Sequence, residues 1–225
     1  MKKLLAAIIA AALLLSGCSL SSRPAVSAPP AETPSLSPTP IVTPTPEPEP
    51  SDDELVLVRD YIPGIFIDLK YATTDNFTGQ VIYDSDEAYL RYGTVKKLLA
   101  AQNELSGRGL SLKIWDAYRP VSAQFKLWEI CPNPVYVSDP NNGYSKHSRA
   151  NTVDITLVTS TGESIPMPSG FDDFTSLADR DYSDVSAEAA ENARLLESIM
   201  VENGFVPYSG EWWHYSDSVS YDVYG

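Results

Sequence analysis

Residues 94–120 read TVKKLLAAQNELSGRGLSLKIWDAYRP, and two different periodicities meet inside this one stretch. Up to residue 105 the apolar side chains Val95, Leu98, Leu99 and Leu105 fall at helical spacing, and Gly107 and Gly109 follow as stop signals. Past the glycines, Leu110, Leu112 and Ile114 alternate with Ser111 and Lys113, the period of a strand with one buried face. The spacing predicts a helix, a tight connection and a strand that runs into Trp115-Asp116-Ala117-Tyr118-Arg119-Pro120, with Arg119 near the strand end. Working outward, residues 55–59, 65–69 and 153–158 read as strands, and residues 205–215 as a last one. Ser186 is placed to cap a helix that carries Ala189, Leu196, Ile199 and Met200 to a stop at Gly204. Short strands interleaved with helices define an α+β class. The expected architecture is one mixed domain over residues 53–225, a central antiparallel sheet with helices packed on it.

The chain upstream of that domain has two different compositions. Residues 1–20, MKKLLAAIIAAALLLSGCSL, start with Lys2 and Lys3 and continue with an unbroken apolar run from residue 4 to 15. A run of about a dozen apolar residues is short of the roughly 20 that span a bilayer, and this layout is that of an export signal. Leu15-Ser16-Gly17-Cys18 resembles a bacterial lipobox, which implies a signal peptide over residues 1–17 and lipid attached to Cys18. Residues 18–52 then form a linker, because ten of the 18 prolines of the chain fall between Pro24 and Pro50 among Ser, Thr, Ala and Glu. Such a segment buries too little apolar surface to offset its ordering entropy, and at about 3.1 Å per residue it reaches on the order of 100 Å. The expected address is the bacterial cell envelope, on the extracytoplasmic face, with the domain tethered to the membrane by its lipid.

A hydrophobic content of 43% over 225 residues is ample for a core. The formal net charge of −14 excludes nucleic acid as a partner, since a phosphate backbone needs a basic face to displace its counterions. The chain has two cysteines. With Cys18 lipidated, Cys131 has no intramolecular partner, and no disulfide framework is implied.

The chemistry is concentrated around the only two histidines, His147 and His214, each within seven residues of a carboxylate in its own segment. Imidazole and carboxylate are the usual ligands of a catalytic zinc, where three protein ligands leave a fourth position open. Asp154 is flanked by Val153, Ile155 and Leu157, so an unpaired charge there would be costly to bury and a metal would neutralise it. In Glu211-Trp212-Trp213-His214 the carboxylate stands three residues before the histidine. On a regular strand such positions face opposite sides, so convergence needs a strand end, a bulge or a helical turn.

The segment Ser145-Lys146-His147-Ser148-Arg149-Ala150-Asn151-Thr152-Val153-Asp154 resembles the S-x-H-x-x-G-x-A-x-D zinc motif of the D-alanyl-D-alanine dipeptidases, zinc peptidases of family M15, and of related D,D-carboxypeptidases. Residues 211–214 resemble their E-x-W-H. The likeness continues, in the family's order, through Lys70-Tyr71-Ala72-Thr73, Asp75-Asn76-Phe77-Thr78-Gly79, residues 115–120 and Phe171-Asp172. The resemblance implies one zinc ion per chain held by His147, Asp154 and His214. It also implies Glu211 as general base and acid, and Arg119 as the stabiliser of negative charge on the intermediate. For a small dipeptide substrate it implies Asp172 at the ammonium with Tyr71 nearby, Ser145 toward the carboxylate, and Tyr83 on the pocket wall. Hydrolysis of D-Ala-D-Ala, or of similar small D-amino-acid dipeptides, is the implied activity, and the export signal points to wall-dipeptide turnover or salvage as its setting. The alternatives are a D,D-carboxypeptidase or endopeptidase of peptidoglycan stems, and a binding module that keeps the zinc fold without catalysis. Ala150 stands where the motif has Gly and Thr152 where it has Ala, and both add bulk.

Overall fold

The computed structural model describes residues 48–225, and the expected signal peptide, Cys18 and most of the linker lie outside the described residues. Among those residues the stretch quoted above folds as α2 (Tyr92–Ser106) and β4 (Leu110–Asp116), joined by a turn in which Gly109 adopts φ +73°. The helix buries Val95, Leu98, Ala101, Gln102 and Leu105 along one stripe, the face its spacing marked as apolar. Gln102 is a buried polar residue on that stripe and its amide is satisfied. Its Oε1 accepts the Leu112 N–H at 2.8 Å and its Nε2 donates to Ser111 Oγ at 3.0 Å, which ties the helix to the strand it packs on.

The main sheet has five strands in the order β2-β4-β5-β7-β6: β2 (Phe66–Ile67), β4, β5 (Thr152–Thr159), β7 (Glu211–Asp217) and β6 (Phe205–Tyr208). A small antiparallel pair, β1 (Leu55–Leu57) with β3 (Tyr89–Arg91), stands beside it. β5 is central and covered on both faces, so its residues 152–158 are all buried, polar ones included. The helix α4 (Ala187–Glu202) covers one side with Ala189, Ala190, Ala193, Leu196, Ile199 and Met200. Its cap is Ser186, whose Oγ accepts the Ala189 N–H at 3.2 Å, a contact worth about 1 kcal/mol. The two remaining helices are α1 (Val58–Tyr61) and α3 (Val121–Ile130). The whole is one α+β domain.

Four sequence expectations are corrected. The sheet is mixed: β2 runs parallel to β4, whereas β4-β5, β5-β7 and β7-β6 are antiparallel. Residues 55–59 are not one strand, because β1 ends at Leu57, opposite the first residue of its three-residue partner β3, and α1 follows. Likewise β2 stops at Ile67, and a 3₁₀ turn at Lys70–Ala72 takes over. Residues 205–215 are two strands folded back on each other at Ser209-Gly210, with Tyr208 paired to Glu211.

One buried cation fastens the segments that frame the site. Arg91 donates from Nη1 to the carbonyl of Asp53 at 2.6 Å, from Nη2 to that of Asp222 at 2.9 Å and from Nε to that of Arg149 at 3.1 Å. It thereby joins the start of the domain, its last residues and the turn that carries His147.

Candidate active site

The site begins as one row across three strands. Asp154 on β5 is paired with His214 on β7 and with Asp116 on β4, so these side chains stand next to each other on the same face. Asp116 reaches that face only because β4 is irregular. Ile114 pairs with Ile155 and Asp116 with Asp154, so two steps along β4 match one along β5, and Trp115 is the extra residue. Without this bulge the period of two would turn Asp116 to the side of Leu112 and Ile114.

His147 comes from outside the sheet, on a 3₁₀ turn at Lys146–Arg149. Ser145 caps the turn by accepting the His147 N–H on its Oγ at 3.3 Å, and the His147 carbonyl accepts the Arg119 N–H at 3.2 Å. Ala150 ends the turn in the left-handed region, φ 59° and ψ 28°. The motif's glycine position therefore does require positive φ, and alanine bears a strain of about 1 kcal/mol there. Thr152, the second departure, is fully buried, and its hydroxyl lies 3.1 Å from Ser216 Oγ on β7.

The turn and the row converge on a compact donor set. Asp154 Oδ2 lies 3.2 Å from His147 Nε2, and Asp154 Oδ1 lies 2.9 Å from His214 Nδ1. Ligand atoms of the three residues lie within 4.8 Å of one another, and all three residues are buried. A tetrahedral ion with bonds of about 2.0–2.1 Å spaces its ligands by about 3.3 Å, so the set fits such an ion. His147 Nδ1 lies 2.9 Å from the carbonyl oxygen of Ala117, which fixes the ring and leaves Nε2 facing Asp154.

Glu211 is beside this set. Its Oε2 lies 3.5 Å from His214 Nδ1. Two of the three devices that would let the i to i+3 spacing converge are present, since Glu211 is the first residue of β7 and the β6-β7 register shifts between Pro207 and Tyr208. A cavity of about 280 Å³ opens here, lined among others by Ser145, Tyr136, Tyr208, Glu211 and His214.

Arg119 lies just past β4 and is nearly buried. Asp116 Oδ2 accepts from its Nε at 3.1 Å and from its Nη2 at 2.5 Å, and Gln124 Oε1 accepts from Nη1 at 2.9 Å. Gln124, on α3, is in turn held by donating to the Ser138 carbonyl at 2.7 Å. Tyr83 is drawn into the same network, its hydroxyl donating to Asp116 Oδ1 at 2.5 Å. Tyr71 lies under the guanidinium at 5.0 Å and donates its hydroxyl to Asp172 Oδ2 at 2.6 Å. Asp172 is itself at positive φ, 51°, a conformation that aspartate tolerates better than most residues.

All nine residues singled out from the sequence, outside the lipidation position, thus fall in one region. Two that were not singled out, Asp116 and Gln124, orient Arg119. Asp116 sits inside the quoted WDAYRP run, but its role depends on a bulge that the alternation of residues 110–114 does not announce.

The electrostatics ask for positive charge. Four carboxyls, Asp116, Asp154, Asp172 and Glu211, gather around one guanidinium, and two of them, Asp172 and Glu211, resist ionisation. Burial, and then the charges of Asp154 and Asp172, push Glu211 up to about 8. Burial raises Asp172 to about 7 even though the Tyr71 hydrogen bond opposes it. Burial also pushes Asp154 upward, but the charge and hydrogen bond of His147 and the hydrogen bond of His214 hold it well below the usual carboxylate range. A dication held among these groups would offset the excess negative charge.

A buried His-Asp-His set with a fourth carboxylate alongside, in a small cleft, defines the class of metal-assisted hydrolases. The chain belongs to the D-ala-D-ala dipeptidase family of M15 peptidases, whose model matches residues 51–221. It is 40% identical to the D-alanyl-D-alanine dipeptidase of Escherichia coli K12, over 72% of this chain and 83% of that protein. It is also 36% identical to the dipeptidase of the same description from Enterococcus faecium, over 68% of this chain and 86% of that protein. The corresponding protein of Enterococcus faecalis is 35% identical, over 73% and 91% of the two chains. The chain is a peptidase, and the M15 peptidases are metallopeptidases.

Proposed function

We propose that this protein is a zinc-dependent dipeptidase that hydrolyses D-Ala-D-Ala, or similar small dipeptides of D-amino acids, outside the cytoplasm in cell-wall dipeptide turnover. The observation that carries the reading is the approach of His147 and His214 to the two oxygens of one buried carboxylate, with Glu211 at 3.5 Å from His214. His147, Asp154 and His214 would hold one zinc ion, which supplies Lewis acidity by lowering the pKa of the attacking water and polarising the scissile carbonyl.

Glu211 takes a proton from that water as its oxygen bonds to the carbonyl carbon, and returns the proton to the departing amine as the C–N bond breaks. The high pKa of the free carboxyl suits the second step, and positive charge at the neighbouring ligands draws it down for the first. Arg119 has five N–H groups, and Asp116 and Gln124 engage three of them. Two N–H groups remain for the negative charge that develops on the substrate, and the fixed fork needs no reorganisation to meet it. Asp172, held by Tyr71, answers the ammonium of a free dipeptide. Ser145 accepts a backbone N–H on its oxygen, which leaves its own proton to donate toward the carboxylate end. Support for an extracytoplasmic site of action comes from the export-signal pattern and the lipobox at Cys18, and the Pro-rich stretch supplies a tether.

Purified protein loaded with zinc is expected to release D-alanine from free D-Ala-D-Ala much faster than from a muramyl pentapeptide, followed by quantifying D-alanine. Equal or faster release from the pentapeptide would shift the assignment to a carboxypeptidase of wall stems.

A further inference from the structure

One wall of the cleft is a loop, residues 131–145, that places Pro134, Val135 and Tyr136 against the cavity. Tyr136 and Phe174 are both strongly exposed for aromatic residues, at 45% and 41%, yet their rings are in contact, with centroids 4.4 Å apart and planes 32° from parallel. Phe174 belongs to the segment that carries Asp172, two residues upstream. Phe77 supports Phe174 edge-on at 5.4 Å and itself packs at 6.3 Å on Tyr71, the residue that holds Asp172. A bridge of rings therefore runs from the loop that lines the cavity to the segment bearing the group assigned to the substrate ammonium.

Two rings stacked at 4.4 Å leave no gap for another group to pass. The half-open space of about 280 Å³ lies just under the smallest of ordinary ligand pockets, roughly 300–1,000 Å³, a size that suits two small residues. An acyl or peptidyl group on the substrate nitrogen would have to leave past Asp172, beside the segment on which Phe174 meets Tyr136. Both rings lie on loops, neither is locked in the core, and Tyr136 has no hydrogen-bond partner for its hydroxyl within the site.

We infer that Tyr136 and Phe174 form an aromatic gate that restricts this site to dipeptides with a free ammonium, by closing the end of the cleft beyond Asp172. The inference rests on the dipeptidase reading above and names the residues that set its substrate class. The rings are specificity determinants and take no part in bond breaking.

The test is the ratio of kcat/KM for N-acetyl-D-Ala-D-Ala to that for free D-Ala-D-Ala, measured on the full zinc-loaded chain. Tyr136→Ala and Phe174→Ala, which break the same stack from opposite sides, are each expected to raise that ratio at least roughly tenfold, the scale of one removed steric contact. Tyr136→Phe keeps the ring and is expected to keep the wild-type ratio. A wild-type chain that prefers the free dipeptide, with a ratio unchanged in both alanine variants, would overturn the gate and leave the dipeptidase reading intact. A wild-type chain that prefers the acetylated substrate would overturn both. Loss of turnover on both substrates in both alanine variants, with zinc still bound, would also overturn the gate, because the rings would then serve the chemistry.

Discussion

Replacing Glu211 by Gln is expected to lower kcat on D-Ala-D-Ala by roughly a thousandfold while the protein retains its metal, the scale on which removing a general acid and base acts. The side chain is the same size, so the strand start and the β6-β7 hairpin are preserved. Only the ability to take and return a proton is lost. Glu211 is not part of the donor set formed by His147, Asp154 and His214, and its nearest approach to that set is the 3.5 Å contact with His214. Metal content measured beside kcat therefore separates the roles. Undiminished turnover in Glu211→Gln would remove the proposed base, whereas loss of metal would show that Glu211 is a ligand.

The second large effect is expected at Asp116, whose carboxylate is fully buried. It accepts two N–H groups of Arg119 and the Tyr83 hydroxyl, and lies 3.6 Å from His147 Nδ1. Asp116→Ala leaves a nearly buried guanidinium without its counter-charge, a change that costs about 3–5 kcal/mol. For a domain of this size that corresponds to a fall of roughly 6–20 °C in Tm. Activity is expected to fall as well, since Arg119 loses the partner that aims it. The double variant Asp116→Ala with Arg119→Met should be less destabilised than the sum of the single changes, because neither charge is then stranded. Additive losses in urea unfolding would show that the two residues do not act as a pair.

Much of this arrangement is written locally in the chain. The alternation at Leu110, Leu112 and Ile114 places β4, and the apolar neighbours of Asp154 mark it as a buried charge in need of a partner. The spacing of Glu211 and His214 stated the geometric problem that a strand end and a shifted register solve. What was not legible depends on which segments become neighbours. The bulge at Trp115 turns Asp116 toward Asp154, and nothing in a period of two records it. The pairing of Arg119 with Gln124 joins the end of β4 to α3. The parallel pairing of β2 depends on two residues, too few for a pattern. The hairpin inside residues 205–215 did carry a signal, because Ser209-Gly210 is a turn dipeptide between two apolar runs. The run of aromatic and apolar residues on either side masked it.

On the proposed reading, one zinc ion held by His147, Asp154 and His214 makes this chain a D-dipeptide hydrolase. The most direct test is to strip the purified protein with a chelator, return zinc in known amounts, and follow D-alanine release from D-Ala-D-Ala. Activity is expected to vanish on stripping, to return in proportion to added zinc and to level off at one ion per chain, with His147→Ala failing to recover. Full turnover by a protein shown by elemental analysis to be free of metal would contradict the claim.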